Sequence, residues 1–318
     1  MHITNEVLKN YISGWIRAWE TDGYLYLNRF TEEQAEYLRP RHDPKQLATS
    51  SMFIEFITDA TELSFECRYT PGSSQKCFGI DLLVDGINTA CTFKGDEQGE
   101  FLYNATLKAG TKRVTVFLPN LACAAIRNFE INAPIAPYER KCTFLALGDS
   151  ITQGYVTKHP HLTYVNIVAQ LFDAKVVNQA IGGDVFDKNN IDDRLKEIDP
   201  DFITVAYGTN DWSTGIDIRS ISDAYFERLR EVFPDIPIFA LVPIHRNGID
   251  GILKNGITLE EARLIIEETA TKHGATVIDA RDFVPYQEDF YCDKVLHPSE
   301  IGFIFYGNNL YNELKKYL

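Results

Sequence analysis

A serine hydroxyl is a poor nucleophile near neutral pH unless a neighbouring base takes its proton during attack. Ser150, in Gly148-Asp149-Ser150, follows directly on the apolar run Phe144-Leu145-Ala146-Leu147 and precedes Ile151-Thr152-Gln153-Gly154. It therefore sits where a strand gives way to a loop, although the tripeptide alone also fits a plain turn. A base is needed to give it meaning. Of the seven histidines, His297 is followed by Pro298, Ser299 and Glu300, the composition of a helix start, and it is the expected general base. Acyl transfer also requires donors aimed at the oxyanion, because charge is best stabilised by dipoles already in place. Two segments offer them. In Asn178-Gln179-Ala180-Ile181-Gly182-Gly183-Asp184 a glycine lets a backbone N–H approach without a Cβ, and in Gly208-Thr209-Asn210-Asp211 the Asn210 amide can donate.

The elements that must carry these residues follow from periodicity. Beyond residue 138, apolar runs of strand length (142–147, 175–178, 202–207, 236–242 and 276–279) alternate with longer amphipathic segments. That pattern predicts a five-stranded parallel α/β sheet with the chemistry at its carboxyl edge. Helices are expected over 163–172, 191–198, 218–233, 258–272 and 299–318, where caps and glycines punctuate the runs. Before residue 138 the period is two: Leu63, Phe65, Cys67 and Tyr69 alternate with Ser64, Glu66 and Arg68. Further strands are predicted over 24–30, 52–57, 80–84, 101–107, 114–118 and 124–131, with Asp85-Gly86 as a hairpin turn, so the first part reads as an all-β sandwich. The prolines of Asn132-Ala133-Pro134-Ile135-Ala136-Pro137-Tyr138 interrupt the pattern. The expected domains are 1–138, the sandwich, and 139–318, the α/β unit.

Gly148-Asp149-Ser150, Gly183, Gly208-Thr209-Asn210-Asp211 and His297-Pro298 occur in the order of four blocks. In this the chain resembles the SGNH/GDSL hydrolases, over roughly residues 142–318. The resemblance implies a serine esterase with a flavodoxin-like three-layer domain. Ser150 would be the nucleophile and His297 the base, with the oxyanion hole formed by the N–H groups of Ser150 and Gly183 and the Asn210 side chain. The family pattern favours Gly183 over Gly182, being the glycine directly before the aspartate. One position departs from it. The family places its carboxylate three residues before the histidine, where Lys294 stands here, and Asp293 lies four before. If the extra residue bulges out, Asp293 completes a triad; otherwise a Ser–His dyad remains, with another acceptor such as a backbone carbonyl holding the imidazole. Asp282, Glu288 and Asp289 are read as solvated loop charges.

Trp212, after the Asn-Asp block, and Tyr155, five residues past the serine, are candidate substrate contacts because aromatic rings can lie against sugar faces. Arg246 and His245, after the fourth strand, fall on the same edge, and ordinary packing is the competing reading for all of them. No stretch near the motifs resembles an apolar lid. A sandwich ahead of such a hydrolase is similar to the plan of certain carbohydrate acetylesterases. The expected substrate is thus a short-chain, acetyl ester of a sugar or oligosaccharide. An acyltransferase using the same site is the main alternative, followed by a thioesterase or lysophospholipase, with a non-catalytic carbohydrate-binding protein further behind.

Lys plus Arg at 31 against Asp plus Glu at 45 gives a net charge of −14, which repels phosphate backbones and anionic lipid surfaces. No nucleic-acid or membrane partner is expected. The first ten residues are too polar for a signal peptide, which by default places the chain in the cytoplasm. Six cysteines without a C-x-x-C pair read as buried thiols. No cofactor or metal is expected, since His159, His161 and His245 show no ligand spacing. The sequence carries no reading of oligomeric state.

Overall fold

The structure is a computed structural model and describes every residue except Lys76, Asp96, Glu97 and Asn255. The first part holds two antiparallel sheets. One runs Arg17–Thr21, Tyr24–Asn28, Ala122–Ile131, Glu62–Pro71, Gly99–Thr106, and the other Ile135–Ala136, Phe53–Thr58, Lys112–Phe117, Cys77–Val84, Ile87–Gly95. Period-two alternation turns Leu63, Phe65 and Cys67 inward, where they meet Ile54, Phe56, Leu82 and Val116 of the facing sheet. Phe129 joins the sheets, stacking on Phe65 and presenting its edge to Phe56. The hairpin falls at Asp85-Gly86, both with positive φ (52° and 82°), the conformation a two-residue turn of this twist demands.

The sandwich is not purely β. A helix, Glu32–His42, follows the strand Tyr24–Asn28 and was not expected. Thr31 caps it and Gln34 returns a hydrogen bond to the cap backbone, a capping box visible in the sequence. Its polar composition and internal Pro40 hide it from a periodicity reading.

The second part is a five-stranded parallel sheet of β1 (Cys142–Gly148), β2 (Ala174–Asn178), β3 (Phe202–Ala206), β4 (Ile238–Leu241) and β5 (Thr276–Ile278), in the order 2-1-3-4-5. Alternate residues serve opposite faces. Phe144, Phe202 and Phe239 form one core with the helices Tyr164–Phe172 and Glu300–Leu314, and Leu145, Ile203 and Val205 form the other with Ile218–Val232 and Leu259–Lys272. Thr163, Asp217, Thr258 and Ser299 cap these helices. The segment expected as a helix over 191–198 is instead a 3₁₀ helix, Asp193–Ile198, capped by Asp192. Because the order reverses around β1, the loops after β1, β2 and β3 open onto one crevice at the carboxyl edge. The cysteines are free thiols; Cys67 and Cys123 are buried, but Cys292 is exposed, contrary to its reading as a buried group. Among the described residues no helix is long and apolar enough to cross a membrane.

Candidate active site

The β1 strand ends at Gly148, and Asp149 caps a one-turn helix that Ser150 opens. Asp149 accepts from the Ile151 N–H at 3.0 Å, and its burial pushes its pKa up to about 6. Gly148 has to be bare, because a Cβ there would lie 2.2 Å from the Thr152 hydroxyl. At the far end of the sheet the loop after β5 brings His297 to the serine, with Oγ and Nε2 2.9 Å apart. Asp293 Oδ2 lies 2.6 Å from His297 Nδ1, while Oδ1 accepts from the N–H groups of Val295, Leu296 and His297 at 3.0, 2.8 and 3.1 Å. A carboxylate accepts only, so Nδ1 carries the ring proton and Nε2 is left free to take one from Ser150. Partial burial raises the Asp293 pKa, but the bond from His297 and the N–H groups of Leu296 and Val295 outweigh it and hold the carboxyl well below its ordinary range. Lys294 absorbs the additional residue by adopting φ +63°.

The loops after β2 and β3 supply the donors. Gly182 donates its N–H to Gln153 Oε1 at 2.8 Å, whereas the N–H of Gly183 has no partner among the described residues. Gly183 has φ +88°, which an L side chain rarely adopts. Asn210 Nδ2 donates to the Asp184 carbonyl at 2.9 Å, which ties the β3 loop to the β2 loop and leaves the second amide hydrogen for a ligand. Asp211 reinforces that tie by accepting from the N–H groups of Phe186 (2.9 Å) and Gly208 (3.0 Å), and burial pushes its pKa up to about 7.

The substrate contacts read from the sequence divide. Tyr155 borders the site: its ring lies edge-on to the His297 ring at 4.8 Å, and its hydroxyl meets Ser74 Oγ of the sandwich at 2.8 Å. Trp212 does not. Its side chain is 1% exposed in the core of the sheet and its indole N–H donates to Ile257 O, so the expectation of a sugar-facing ring is corrected. Arg246 is also buried; it lies over the Trp212 ring and donates from Nε and Nη2 to Thr209, which makes it a support of the β3 loop. His245 donates from Nδ1 to Arg281 O and accepts from the Tyr291 hydroxyl, again a packing role.

The sequence reading missed the sandwich residues that hold the β2 loop. Arg29 is fully buried and donates to the carbonyls of Asn178 (2.6 Å), Ala180 (2.5 Å) and Ala48 (3.0 Å). Gln34 and Gln179 exchange amide hydrogen bonds, His42 lies 3.2 Å from Asp184, and Lys45 Nζ donates to Gly182 O at 2.7 Å. On the β1 side Asn120 donates to the carbonyls of Gln153 and Gly154. The partners in the α/β part lie more than thirty and up to about 150 residues away, so no motif announces them.

Residues 146–303 match the model of a family described as GDSL-like Lipase/Acylhydrolase. No curated protein matches the chain. Among solved structures, the chain is similar to the salicylyl-acyltransferase SsfX3 from a tetracycline biosynthetic pathway, with TM-score 0.80, 22% identity and coverage of 96% of this chain and 94% of that one. It is also similar to a family two carbohydrate esterase from Clostridium thermocellum (TM-score 0.63, 19% identity, 92% and 98% covered). The acetyl xylan esterase Est2A from Butyrivibrio proteoclasticus gives TM-score 0.63 at 14% identity, with 99% and 97% covered. At these identities the likeness is one of fold, and it extends over both parts of the chain.

Proposed function

We propose, from the match of residues 146–303 to the GDSL-like lipase/acylhydrolase family, that this chain is an ester hydrolase that removes short acyl groups, acetyl above all, from carbohydrate esters through a Ser150-His297-Asp293 triad. The observation that carries this reading is the chain of two hydrogen bonds from Ser150 Oγ to His297 Nε2 and from Nδ1 to Asp293. In the first half-reaction Ser150 Oγ attacks the ester carbonyl carbon as its proton passes to Nε2. The N–H groups of Ser150 and Gly183 and the Asn210 amide hold the oxyanion, and Asp293 stabilises the imidazolium. His297 then protonates the departing alkoxide, leaving an acyl-serine. Water, deprotonated by His297, attacks that ester, and collapse returns the proton to Ser150 and frees the acid.

Two features support the carbohydrate assignment: Tyr155 offers an aromatic wall beside His297 that is anchored to the sandwich, and the fold likeness to the carbohydrate esterase and the acetyl xylan esterase extends over both parts of the chain. Transfer to a hydroxyl acceptor other than water is the second reading, favoured by the full-length likeness to an acyltransferase. Hydrolysis of p-nitrophenyl esters of increasing chain length tests both. Acetate is expected to be the best substrate, and Ser150→Ala to lower kcat by a factor on the order of 10⁶. Undiminished turnover in that variant would remove Ser150 from the mechanism, and a rate that rises steeply only when a sugar acceptor is added would favour transfer.

A further inference from the structure

Where the sandwich meets the α/β part, four side chains capable of holding a metal converge away from the serine. Asp81 and Cys91 stand directly opposite each other on the paired strands Cys77–Val84 and Ile87–Gly95, so both project from the same face. His159 and His161 come from the loop that leads into the helix Tyr164–Phe172. Gly79 admits that loop, since a Cβ there would lie 2.0 Å from the Lys158 carbonyl oxygen. The Asp81 carboxylate is fully buried, and among the described residues its ion-pair partners are His159 (Nδ1 to Oδ1, 3.0 Å) and His161 (Nδ1 to Oδ2, 2.5 Å). Cys91 Sγ lies 3.4 Å from the same Nδ1 of His159.

That shared nitrogen decides between readings. A Cys-His-Asp relay needs thiol and carboxylate on opposite ring nitrogens, whereas here both approach Nδ1, which can serve only one of them at a time. Three ligand atoms all within 4.8 Å of one another are instead an arrangement a cation can satisfy. A tetrahedral zinc with bonds of about 2.0–2.3 Å has ligand-to-ligand edges of roughly 3.3–3.7 Å, within a few tenths of an ångström of the two separations from His159 Nδ1, 3.0 Å to Asp81 and 3.4 Å to Cys91. We propose that Asp81, Cys91 and His159 bind a zinc-like divalent ion, with His161 orienting Asp81 through its second oxygen. The thiolate and imidazole select zinc or cobalt over magnesium or calcium. On binding, Cys91 loses its proton to solvent and His159 coordinates through an unprotonated Nδ1, its remaining ring proton on Nε2. Three protein ligands leave a fourth position for water, and His159, 24% exposed, gives the ion a way in. With two ligands from the sandwich and one from the α/β part, the ion would clamp the two together. This site is separate from the ester-cleaving machinery and does not depend on it.

Chelator-treated protein titrated with Co²⁺ and, by calorimetry, with Zn²⁺ tests the proposal. The expected result is one saturable site per chain, near-ultraviolet thiolate-to-cobalt charge-transfer bands, and a melting temperature raised by Zn²⁺. Cys91→Ser is expected to abolish those bands while far-UV circular dichroism and p-nitrophenyl acetate hydrolysis persist, and His161→Gln to keep them with affinity about 10- to 100-fold weaker. Cobalt spectra of the parent without a thiolate band, an absence of saturable uptake, or uptake unchanged in Cys91→Ser would each overturn it.

Discussion

Two loops of this site are built in opposite ways. The one that carries Asp293 and His297 is held within the α/β part: a bridge between Tyr291 and Pro298 closes it, the Cys292 N–H donates to His297 O at 2.8 Å, Asp293 accepts three N–H groups from the next four residues, and Asn247 donates to the carbonyls of Lys294 and Val295. The loop carrying Gly183 has its carbonyls bound by Arg29 and Lys45 and its side chains matched by Gln34 and His42, all from the sandwich. The acid–base machinery is thus a local property of the α/β chain, and the oxyanion side is a property of the assembled molecule.

The largest test on the local side is Asp293→Asn. It is expected to lower kcat by a factor on the order of 10² to 10⁴, with KM little changed. Activity within a few-fold of the parent would discard the triad in favour of a dyad. On the other loop, Asn210→Ala is expected to cost about 10²- to 10³-fold in kcat, the loss seen when one oxyanion donor is removed. The comparison itself is broken or sharpened by Arg29→Met, far from any reacting atom. Burial pushes the Arg29 pKa down to about 9, so the guanidinium remains protonated at neutral pH. Its removal leaves buried carbonyls unpaired at about 1–3 kcal/mol each. The expected outcome is a lower urea midpoint together with a loss of kcat of about tenfold, because the Gly183 loop loses its anchor. Lower stability with unchanged kcat would mean that the loop holds its shape without the sandwich.

The smallest effect concerns Asp149, at the strand end between the two loops. Its pKa is raised from 3.8 to about 6 by burial, so the folded state binds this proton more tightly than the unfolded chain does. Between these values the parent loses stability as pH rises, and Asp149→Asn lacks that loss. Urea midpoints measured across this range are expected to move in favour of the variant with increasing pH and to level off above it. A difference that does not change with pH would remove the burial account of this carboxyl.

Legibility in the sequence follows the same division. Apolar runs and capped helices made the parallel sheet readable; Ser150 and Asn210 could be placed at its edge because strand ends define that edge, and His297 from the helix start that follows it. What stayed hidden depends on contacts between distant segments or on which face of a short element a residue takes. Trp212 was adjacent to the right block, yet on the helix Thr209–Thr214 it points into the core. Lys294 needed an unusual φ before Asp293 could reach the imidazole, and spacing alone does not say whether a loop will bulge. The helix Glu32–His42 buries Ala35 and Leu38 against Phe30 and Ile181 but Gln34 and His42 against polar groups, a mixed face that hydrophobic patterning passed over.

Arg29 has one more consequence, for anyone who would cut or recombine this chain. A catalytic fragment starting near residue 139 would carry bare carbonyls at Asn178 and Ala180, exposed to water and free to wander. Grafting the α/β part onto a different carrier module therefore requires transplanting the strip from Arg29 to Ser50 with it, and in calorimetry the intact chain is expected to melt in one transition, as a unit of inheritance as much as of folding.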